Sequence, residues 1–218
     1  MKTRWLNKEG NTDCILFFNG WGMDENTVNH LDRKGFDICM FYDYKTIHPE
    51  EIALSSYSRV YVVSWSLGVW VTGFVIDALG VNVSKSIALN GTQLPVDLCY
   101  GIPPQVFENT FTNWDERNRK KFNRRVLGGK SAFELYEHKL VSRNVVEQQV
   151  ELGVILKLVK QTTVTNFCFD TALIGQQDLI FSPENQWEFW KRKAMVVEFM
   201  LPHYPFNYFN SWKQIISL

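Results

Sequence analysis

Apolar residues fall into short continuous runs that alternate along the chain with longer stretches of helical spacing. Cys14–Phe18, Phe36–Tyr42 and Arg59–Val63 are runs of this kind, and they are typical of buried strands in a parallel sheet. Residues Leu67–Leu79 carry apolar side chains around nearly the whole circumference, which predicts a helix buried on several sides. The alternation predicts an α/β fold with a mostly parallel central sheet and helices on both faces.

The same hydrophobic pattern predicts further strands and helices, and one stretch in which the alternation of strands and helices stops. Further strands are expected at 2–6, 84–91, 167–169, 172–178 and 194–200, and further helices at 25–31, 49–54, from 183 onward and at 207–216. No strand is expected from 103 to 160, where Thr112, Ser131 and Asn144 each precede an acidic residue by three positions, a helix-start spacing. We therefore expect one domain over residues 1–218, with a helical lid insertion at about 103–160.

Composition and charge narrow the class of protein. The net charge is zero, so no global field points to nucleic acid or a membrane. Four cysteines are scattered without a C-x-x-C pair, which favours reduced thiols and gives no metal site. The N-terminus has no apolar signal core, and no run approaches the ~20 apolar residues of a membrane span. We expect a soluble cytoplasmic protein that needs no metal or cofactor.

The stretch Ser64-Trp65-Ser66-Leu67-Gly68 joins a predicted strand to the buried helix. In the G-x-S-x-G form of this pattern, a serine lies on a sharp strand-to-helix turn that exposes its hydroxyl. Ser64 replaces the first glycine here, which is a mild change because that position needs only a small side chain. The pattern predicts Ser66 as a nucleophile, and a chance match in a strand–turn–helix is the alternative.

A serine nucleophile needs a base within hydrogen-bond reach and an acid that orients the base. Of the four histidines, only His203 follows the last predicted strand, where an α/β-hydrolase places its base. Asp178 follows the preceding strand, and Asp170, inside or at the start of that strand, is the alternative acid. Because α/β sites form at the carboxyl ends of strands, we predict the triad Ser66, Asp178 and His203.

A second turn, Asn19-Gly20-Trp21-Gly22, directly follows another central strand. Two glycines around a tryptophan allow the backbone to turn tightly and present N–H groups, as an oxyanion hole requires. An ordinary glycine turn is the alternative. We expect the N–H groups of Trp21 and Leu67 to be the donors, since the second donor in this fold is the residue after the nucleophile.

The motifs N-G-W-G, S-W-S-L-G, G-Q-Q-D and L-P-H together resemble those of the BioG-type pimeloyl-acyl-carrier-protein methyl ester esterases of biotin synthesis, over essentially the whole chain. The turn around Trp21, and Trp65 before the nucleophile, are also similar to the BioH-type esterases. The resemblance implies hydrolysis of the methyl ester at the far end of a pimeloyl chain on acyl carrier protein. It also implies Ser66 as nucleophile, His203 as base and Asp178 as orienting acid. Asn19 departs from the histidine of many hydrolases, which leaves the brace of this turn unassigned.

Two other functions stay open at this stage. One is a general small-ester hydrolase or thioesterase, because the motifs serve any activated acyl group. The other is a catalytically inert binding module, against which the complete triad argues, since folding does not require it. Aromatic residues are expected to wall an apolar slot for the methylene chain, with plain core packing as the alternative: Trp21, Trp65, Phe111, Trp114 and Phe133.

Basic residues concentrate in the predicted insertion. Seven of the 23 lie within 14 positions: Arg117, Arg119, Lys120, Lys121, Arg124, Arg125 and Lys130. A solvated helix face is the alternative. Because the implied substrate is carried on an acidic protein, and opposite charges steer association, we expect the first six to dock acyl carrier protein.

Overall fold

A mixed sheet with helices on both faces organises the computed structural model, which describes residues 1–50, 52–140, 143–161 and 165–218. Within these residues the strands are β1 (Lys2–Asn7), β2 (Asp13–Phe18), β3 (Asp37–Tyr42), β4 (Arg59–Trp65), β5 (Lys85–Leu89), β6 (Thr171–Gly175) and β7 (Met195–Phe199). The helices are α1 (Leu67–Val75), α2 (Pro104–Thr112), α3 (Glu116–Val126), α4 (Lys130–Tyr136), α5 (Val145–Gln161), α6 (Pro183–Trp190) and α7 (Trp212–Ile216).

The strand order across the sheet is β1-β3-β2-β4-β5-β6-β7. Strand β1 pairs with β3 antiparallel, and the other neighbouring pairs are parallel. The predicted mostly parallel α/β sheet is therefore confirmed. All parallel strands end at one edge of the sheet, where the turns that follow β2, β4, β6 and β7 come together.

Strand β2 shows why an uninterrupted apolar run forms the centre of this sheet. All six of its residues are buried. Leu16 and Phe18 pack into the core cluster that contains Trp70 of α1, whereas Ile15 and Phe17 face the opposite cluster. There the ring of Phe17 lies 5.0 Å from that of Trp212 in α7. A strand covered on both faces has no polar side to alternate with.

Several predicted helices are shorter or absent. The helix expected at 25–31 is a single 3₁₀ turn, Glu25–Thr27. Of the stretch 49–54, the described residues are not helical. The C-terminal helix is divided into a 3₁₀ turn, Phe206–Tyr208, and the short helix α7. Helix α6 begins as predicted, with the Ser182 hydroxyl accepting from the backbone N–H of Asn185 at 3.1 Å.

Helices α2 to α5 lie between β5 and β6 in the chain, in the stretch where the sequence predicts a helical lid. One predicted helix start is confirmed, because Asn144 directly precedes α5 and its Oδ1 accepts from the N–H of Val146 at 2.7 Å. Other starts differ, because α2 begins at Pro104 and α3 is capped by Asp115 rather than Thr112. Helix α4 follows Gly129, so Ser131 lies inside its first turn. In the part of the chain that the structure describes, no helix is long and apolar enough to cross a membrane.

Candidate active site

The turn between β4 and α1 has the strained geometry of a nucleophile elbow. Ser66 has φ 59° and ψ −126°, a backbone conformation that L-residues adopt only when their surroundings impose it. Its backbone N–H donates to the carbonyl of Leu89 at 3.0 Å. The turn thereby lifts the Ser66 side chain above the carboxyl edge of the sheet.

The small residues around Ser66 allow α1 to lie close to the sheet. A Cβ on Gly68 would lie 2.3 Å from the carbonyl oxygen of Phe18, so this position must be glycine. Ser64 fits at the other small position because its hydroxyl pairs with that of Thr72 at 2.6 Å, and Thr72 donates to the Gly68 carbonyl at 2.8 Å. The replacement of glycine by serine thus adds a hydrogen bond between strand and helix.

The structure brings Ser66, Asp178 and His203 together at this edge. Nε2 of His203 lies 2.9 Å from Oγ of Ser66, and Nδ1 of His203 lies 2.8 Å from Oδ2 of Asp178. All three side chains are buried. With Nδ1–H donating to the carboxylate, Nε2 is left to accept the serine proton, so the arrangement can activate the hydroxyl as a nucleophile.

The Asp178 carboxylate is held by three donors besides His203. The backbone N–H groups of Ile180 and Phe181 donate to Oδ1 at 2.8 and 3.0 Å. The amide of Gln186 in α6 donates to Oδ2 at 3.1 Å. These bonds leave one lone pair of Oδ2 directed at His203, which fixes the imidazole in the tautomer that a base requires.

Asp170, the alternative acid, lies elsewhere. Its Oδ2 accepts from the backbone N–H and the hydroxyl of Ser86, both at 2.7 Å. Ser86 is the second residue of β5, and Asp170 directly precedes β6, so this carboxylate joins the two strands near their amino ends. The geometry therefore favours Asp178 over Asp170 as the partner of His203.

The loop that carries His203 is anchored by Asn90, which the sequence analysis did not single out. The Asn90 amide donates to the carbonyls of Pro202 and His203, both at 2.9 Å, and accepts from the N–H of Gly175 at 2.7 Å. Its φ of 45° is a conformation that asparagine tolerates better than most residues. An Asn-Gly pair at the end of a predicted strand was the available signal.

Trp65 has a related role, because its indole N–H donates to the carbonyl of His203 at 2.9 Å. The ring of Phe181 stacks on the His203 imidazole, with ring centres 6.0 Å apart and planes 10° apart. Backbone and ring of His203 are thus both held.

The turn after β2 lies beside Ser66. We call residues 19–22 the oxyanion loop. Within the described residues, the backbone N–H groups of Trp21 and Leu67 have no hydrogen-bond partner, and Leu67 is the first residue of α1, where a helix leaves such donors unused. Asn19 braces the loop, since its side chain donates to the Asp24 carbonyl at 2.9 Å and accepts from the Gly20 N–H at 2.8 Å.

A cavity of about 600 Å³, including space open to solvent, adjoins Ser66 and His203. Its walls are mostly apolar, and Trp21 and Trp65 are among them. Helices α2, α3 and α5 and the segments after β5 and β6 supply most of the remaining lining residues: Ile102, Val106, Phe107, Thr110, Phe122, Arg125, Val126, Leu152, Leu179 and Ile180.

Three aromatic residues predicted to line the slot do not line this cavity. The ring of Trp114 packs behind Trp21, with centres 4.5 Å apart. Phe133 is buried in the opposite core cluster, beneath the guanidinium of Arg124. Phe111 lies against Gly153 of α5. Phe107 and Phe122 line the cavity instead. The sequence prediction missed them because the composition of α2 and α3 does not show which face of each helix is turned towards the cavity.

The basic residues of the insertion lie on or beside α3. Arg117, Lys120 and Arg124 are exposed, and Lys121 is exposed beside Asn118. Arg119 is partly buried and donates to the carbonyl of Arg143 at 3.0 Å. Arg125 lines the cavity next to Ser66 and also a second, polar groove of about 920 Å³.

A mostly parallel sheet flanked by helices, with a serine elbow after one strand and an aspartate and a histidine after two later strands, defines an α/β-hydrolase. Among the residues that the structure describes, no group of histidine, cysteine, aspartate and glutamate side chains is arranged to hold a metal ion. The family model described as pimeloyl-ACP methyl esterase BioG matches residues 1–215. The chain therefore belongs to the BioG family of esterases.

Solved structures agree with this membership. The crystal structure of BioG from Haemophilus influenzae is similar with a TM-score of 0.92 and 33% identity, over 99% of this chain and 100% of that one. The enol-lactonase from Burkholderia xenovorans has a TM-score of 0.65 and 12% identity, over 94% of this chain and 89% of that one. The second likeness concerns the fold alone.

One curated relative carries a different name. The malonyl-[acyl-carrier protein] O-methyltransferase of Bacteroides fragilis is 38% identical over 180 residues. These residues are 83% of this chain but only 37% of that protein. The chain thus spans little more than a third of that relative, and the name of the whole protein assigns no methyl transfer to this chain.

Proposed function

We propose that this protein hydrolyses the methyl ester of pimeloyl-acyl carrier protein in biotin biosynthesis. The observation that carries the proposal is the hydrogen-bonded array of Ser66, His203 and Asp178 at a mostly apolar cavity, in a chain of the BioG family. The expected products are methanol and a pimeloyl chain with a free carboxylate, still attached to its carrier.

The reaction is a two-step acyl transfer. Oγ of Ser66 attacks the ester carbonyl while Nε2 of His203 takes the hydroxyl proton, and the Trp21 and Leu67 N–H groups stabilise the oxyanion. Methanol then leaves with the proton from His203. A water molecule repeats the sequence on the acyl-enzyme, which releases the carboxylate and restores the Ser66 hydroxyl. The Asp178 carboxylate stabilises the imidazolium that forms in each step.

The apolar cavity favours a methyl ester on a methylene chain. Each buried methylene contributes about 0.8 kcal/mol, whereas a free carboxylate loses its hydration unless it gains a partner. Arg125 lines the cavity and is the cation that could pair with this carboxylate. We expect the product acid to bind more weakly than the ester, and an Arg125→Ala variant to weaken product binding further.

The polar groove supports a carrier-bound substrate. It shares Val106, Thr110, Phe122 and Arg125 with the apolar cavity. Three asparagine amides and Lys121 line the rest together with Trp114. A substrate with an apolar acyl end and a polar, charged linker would place the acyl end in the apolar cavity and the linker in the polar groove. The exposed cations of α3 complement an acidic carrier protein.

The decisive experiment compares kcat/KM for pimeloyl-acyl carrier protein methyl ester with kcat/KM for short neutral methyl esters and short neutral thioesters. A fluorophosphonate probe, with Ser66→Ala as control, tests the nucleophile separately. A preference for the carrier-bound ester supports the proposal. Equal or better turnover of short esters or thioesters would make the protein a general hydrolase, and no labelling of Ser66 would indicate an inert binding module.

Carrier docking is tested by charge reversal away from the cavity. Arg117→Glu combined with Arg124→Glu should lower kcat/KM for the carrier-bound ester by about 10-fold at low salt, and less as salt rises. The short ester should be unaffected. The matched control is Lys34→Glu with Lys213→Glu, two exposed lysines outside the insertion. An equal loss in both double variants would place the docking surface elsewhere.

A further inference from the structure

Helix α5 of the insertion makes three hydrogen bonds to the oxyanion loop. The indole N–H of Trp21 donates to the backbone carbonyl of Gln148 at 2.8 Å, and the Gln148 side-chain amide donates to the carbonyl of Gly22 at 3.0 Å. The N–H of Gly22 donates to Oε2 of Glu151 at 3.3 Å. Gln148 and Glu151 are three residues apart and therefore share one face of the helix. Both side chains are buried.

Glu151 is itself fixed from the other side. Its Oε1 accepts from the N–H of Tyr44 at 2.9 Å, and Nη1 of Arg143 donates to its Oε2 at 2.6 Å. Nη2 of Arg143 forms an ion pair with Asp43 at 2.9 Å. Burial raises the pKa of the Glu151 carboxyl, and Arg143 opposes that rise. The Tyr44 hydroxyl donates to the carbonyl of Asn19 at 2.7 Å, so the network reaches both ends of the oxyanion loop.

The loop has little freedom to move away from α5. Gly22 has φ +72°, and a Cβ at this position would lie 3.0 Å from Nε2 of Gln148. The positive φ favours glycine at this position, and a larger residue would also press against the Gln148 side chain. Trp21, whose N–H is the expected oxyanion donor, is thus held by its indole and by the peptide groups of Gly22 that follow it.

We propose that Gln148 and Glu151 are positioning residues that hold the Trp21 N–H at the oxyanion site, so that helix α5 completes the catalytic geometry. The inference rests on the proposed function, because it takes Trp21 as an oxyanion donor. A hole donor acts only within about 2.7–3.1 Å of the developing charge. A loop released from α5 therefore loses transition-state stabilisation while the substrate pocket stays in place.

The test compares Gln148→Met with Gln149→Met. The Gln148 Oε1 has no partner among the described residues, so the first change removes one hydrogen bond and leaves the backbone carbonyl that binds Trp21. Gln149 is the next residue of the same helix, and its amide donates to Phe111 rather than to the loop. We expect Gln148→Met to lower kcat about 10-fold with KM within ~3-fold, and Gln149→Met to change neither.

A second readout separates positioning from general loss of structure. A trifluoromethyl ketone forms a tetrahedral adduct with a catalytic serine and occupies the oxyanion site, so its affinity should fall by the same factor as kcat/KM in Gln148→Met. Melting temperatures of the two variants should agree within a few degrees. Equal kcat in both variants, or a loss in which KM and melting temperature change together, would overturn the inference.

Glu151→Gln provides an independent variant if Gln148→Met does not fold. Glutamine has a single oxygen acceptor, so it can accept from Gly22 or from Tyr44 but not from both, and it also loses the ion pair with Arg143. We therefore expect a fall in kcat with the same split from KM. Wild-type labelling by a fluorophosphonate separates the two levels of the argument. If Ser66 of the wild type is not labelled, the proposed function fails, whereas labelling with wild-type kcat in both variants refutes only the role of α5.

Discussion

The replacement of Asp178 by asparagine tests the triad most directly. In the variant, the N–H groups of Ile180 and Phe181 keep the side-chain oxygen at the Oδ1 position, because both are donors. The new amide group must then face His203. It would donate to Nδ1 of His203, whereas the wild-type carboxylate accepts from Nδ1–H. It would also face the side-chain amide of Gln186, which is itself a donor.

This exchange moves the imidazole proton to Nε2, so the base can no longer accept the proton of Ser66. In a serine triad such a change costs about 10⁴-fold in kcat, which corresponds to about 5 kcal/mol of transition-state free energy. We therefore expect Asp178→Asn to lower kcat by this order, with a smaller change in KM. The protein should stay folded, since the two backbone donors keep an oxygen acceptor.

The matched control is Asp170→Asn. An amide oxygen can still accept both hydrogen bonds from Ser86, so activity should stay within about 3-fold and stability should fall by about 1 kcal/mol. The assay is single-turnover hydrolysis of a methyl ester, with thermal unfolding of both variants measured in parallel. A larger loss in Asp170→Asn than in Asp178→Asn, or more than a tenth of wild-type kcat in Asp178→Asn, would refute the assignment of the acid.

Three other substitutions probe the same edge of the sheet. Ser66→Ala should lower ester hydrolysis by at least ~10³-fold and abolish fluorophosphonate labelling, with a melting temperature close to wild type. Gly68→Ala should destabilise the protein by about 3 kcal/mol in denaturant unfolding, because the added Cβ would meet the Phe18 carbonyl; an unchanged midpoint would contradict the close approach of α1. Asn90→Ala should lower both stability, by about 2 kcal/mol, and kcat, since it releases the backbone of His203; a loss of stability with unchanged kcat would make Asn90 purely structural.

The central strands and the elbow were predictable because their signals are local. An uninterrupted apolar run such as that of β2 has few alternatives to a buried strand. A serine between a predicted strand and a predicted apolar helix indicates a strand-to-helix turn at that residue. His203 was found by elimination, since it alone among four histidines follows the last strand. In each case neighbouring residues in the chain carried the information.

Short helices and capping positions were less predictable. Asp115, rather than Thr112, caps α3, and the helix expected at 25–31 is a single 3₁₀ turn. Isolated short helices are marginal in water, so tertiary packing decides whether they form and where they begin. The same packing selected Phe107 and Phe122 for the cavity and turned Phe133 into the opposite core cluster.

Local sequence patterns were sufficient to predict the α/β class, most strands of the sheet and the places of Ser66 and His203 at the carboxyl ends of strands, with Asp178 and Asp170 as candidate acids. They were sufficient because hydrophobic periodicity and turn chemistry act over a few neighbouring residues. The tertiary structure alone decided that Asp178 rather than Asp170 contacts His203, and that Gln148 and Glu151 hold the oxyanion loop. Trp21 and Gln148 are 127 positions apart in the chain. Contacts over such separations depend on how helices pack on the sheet, and local sequence patterns carry no record of that packing.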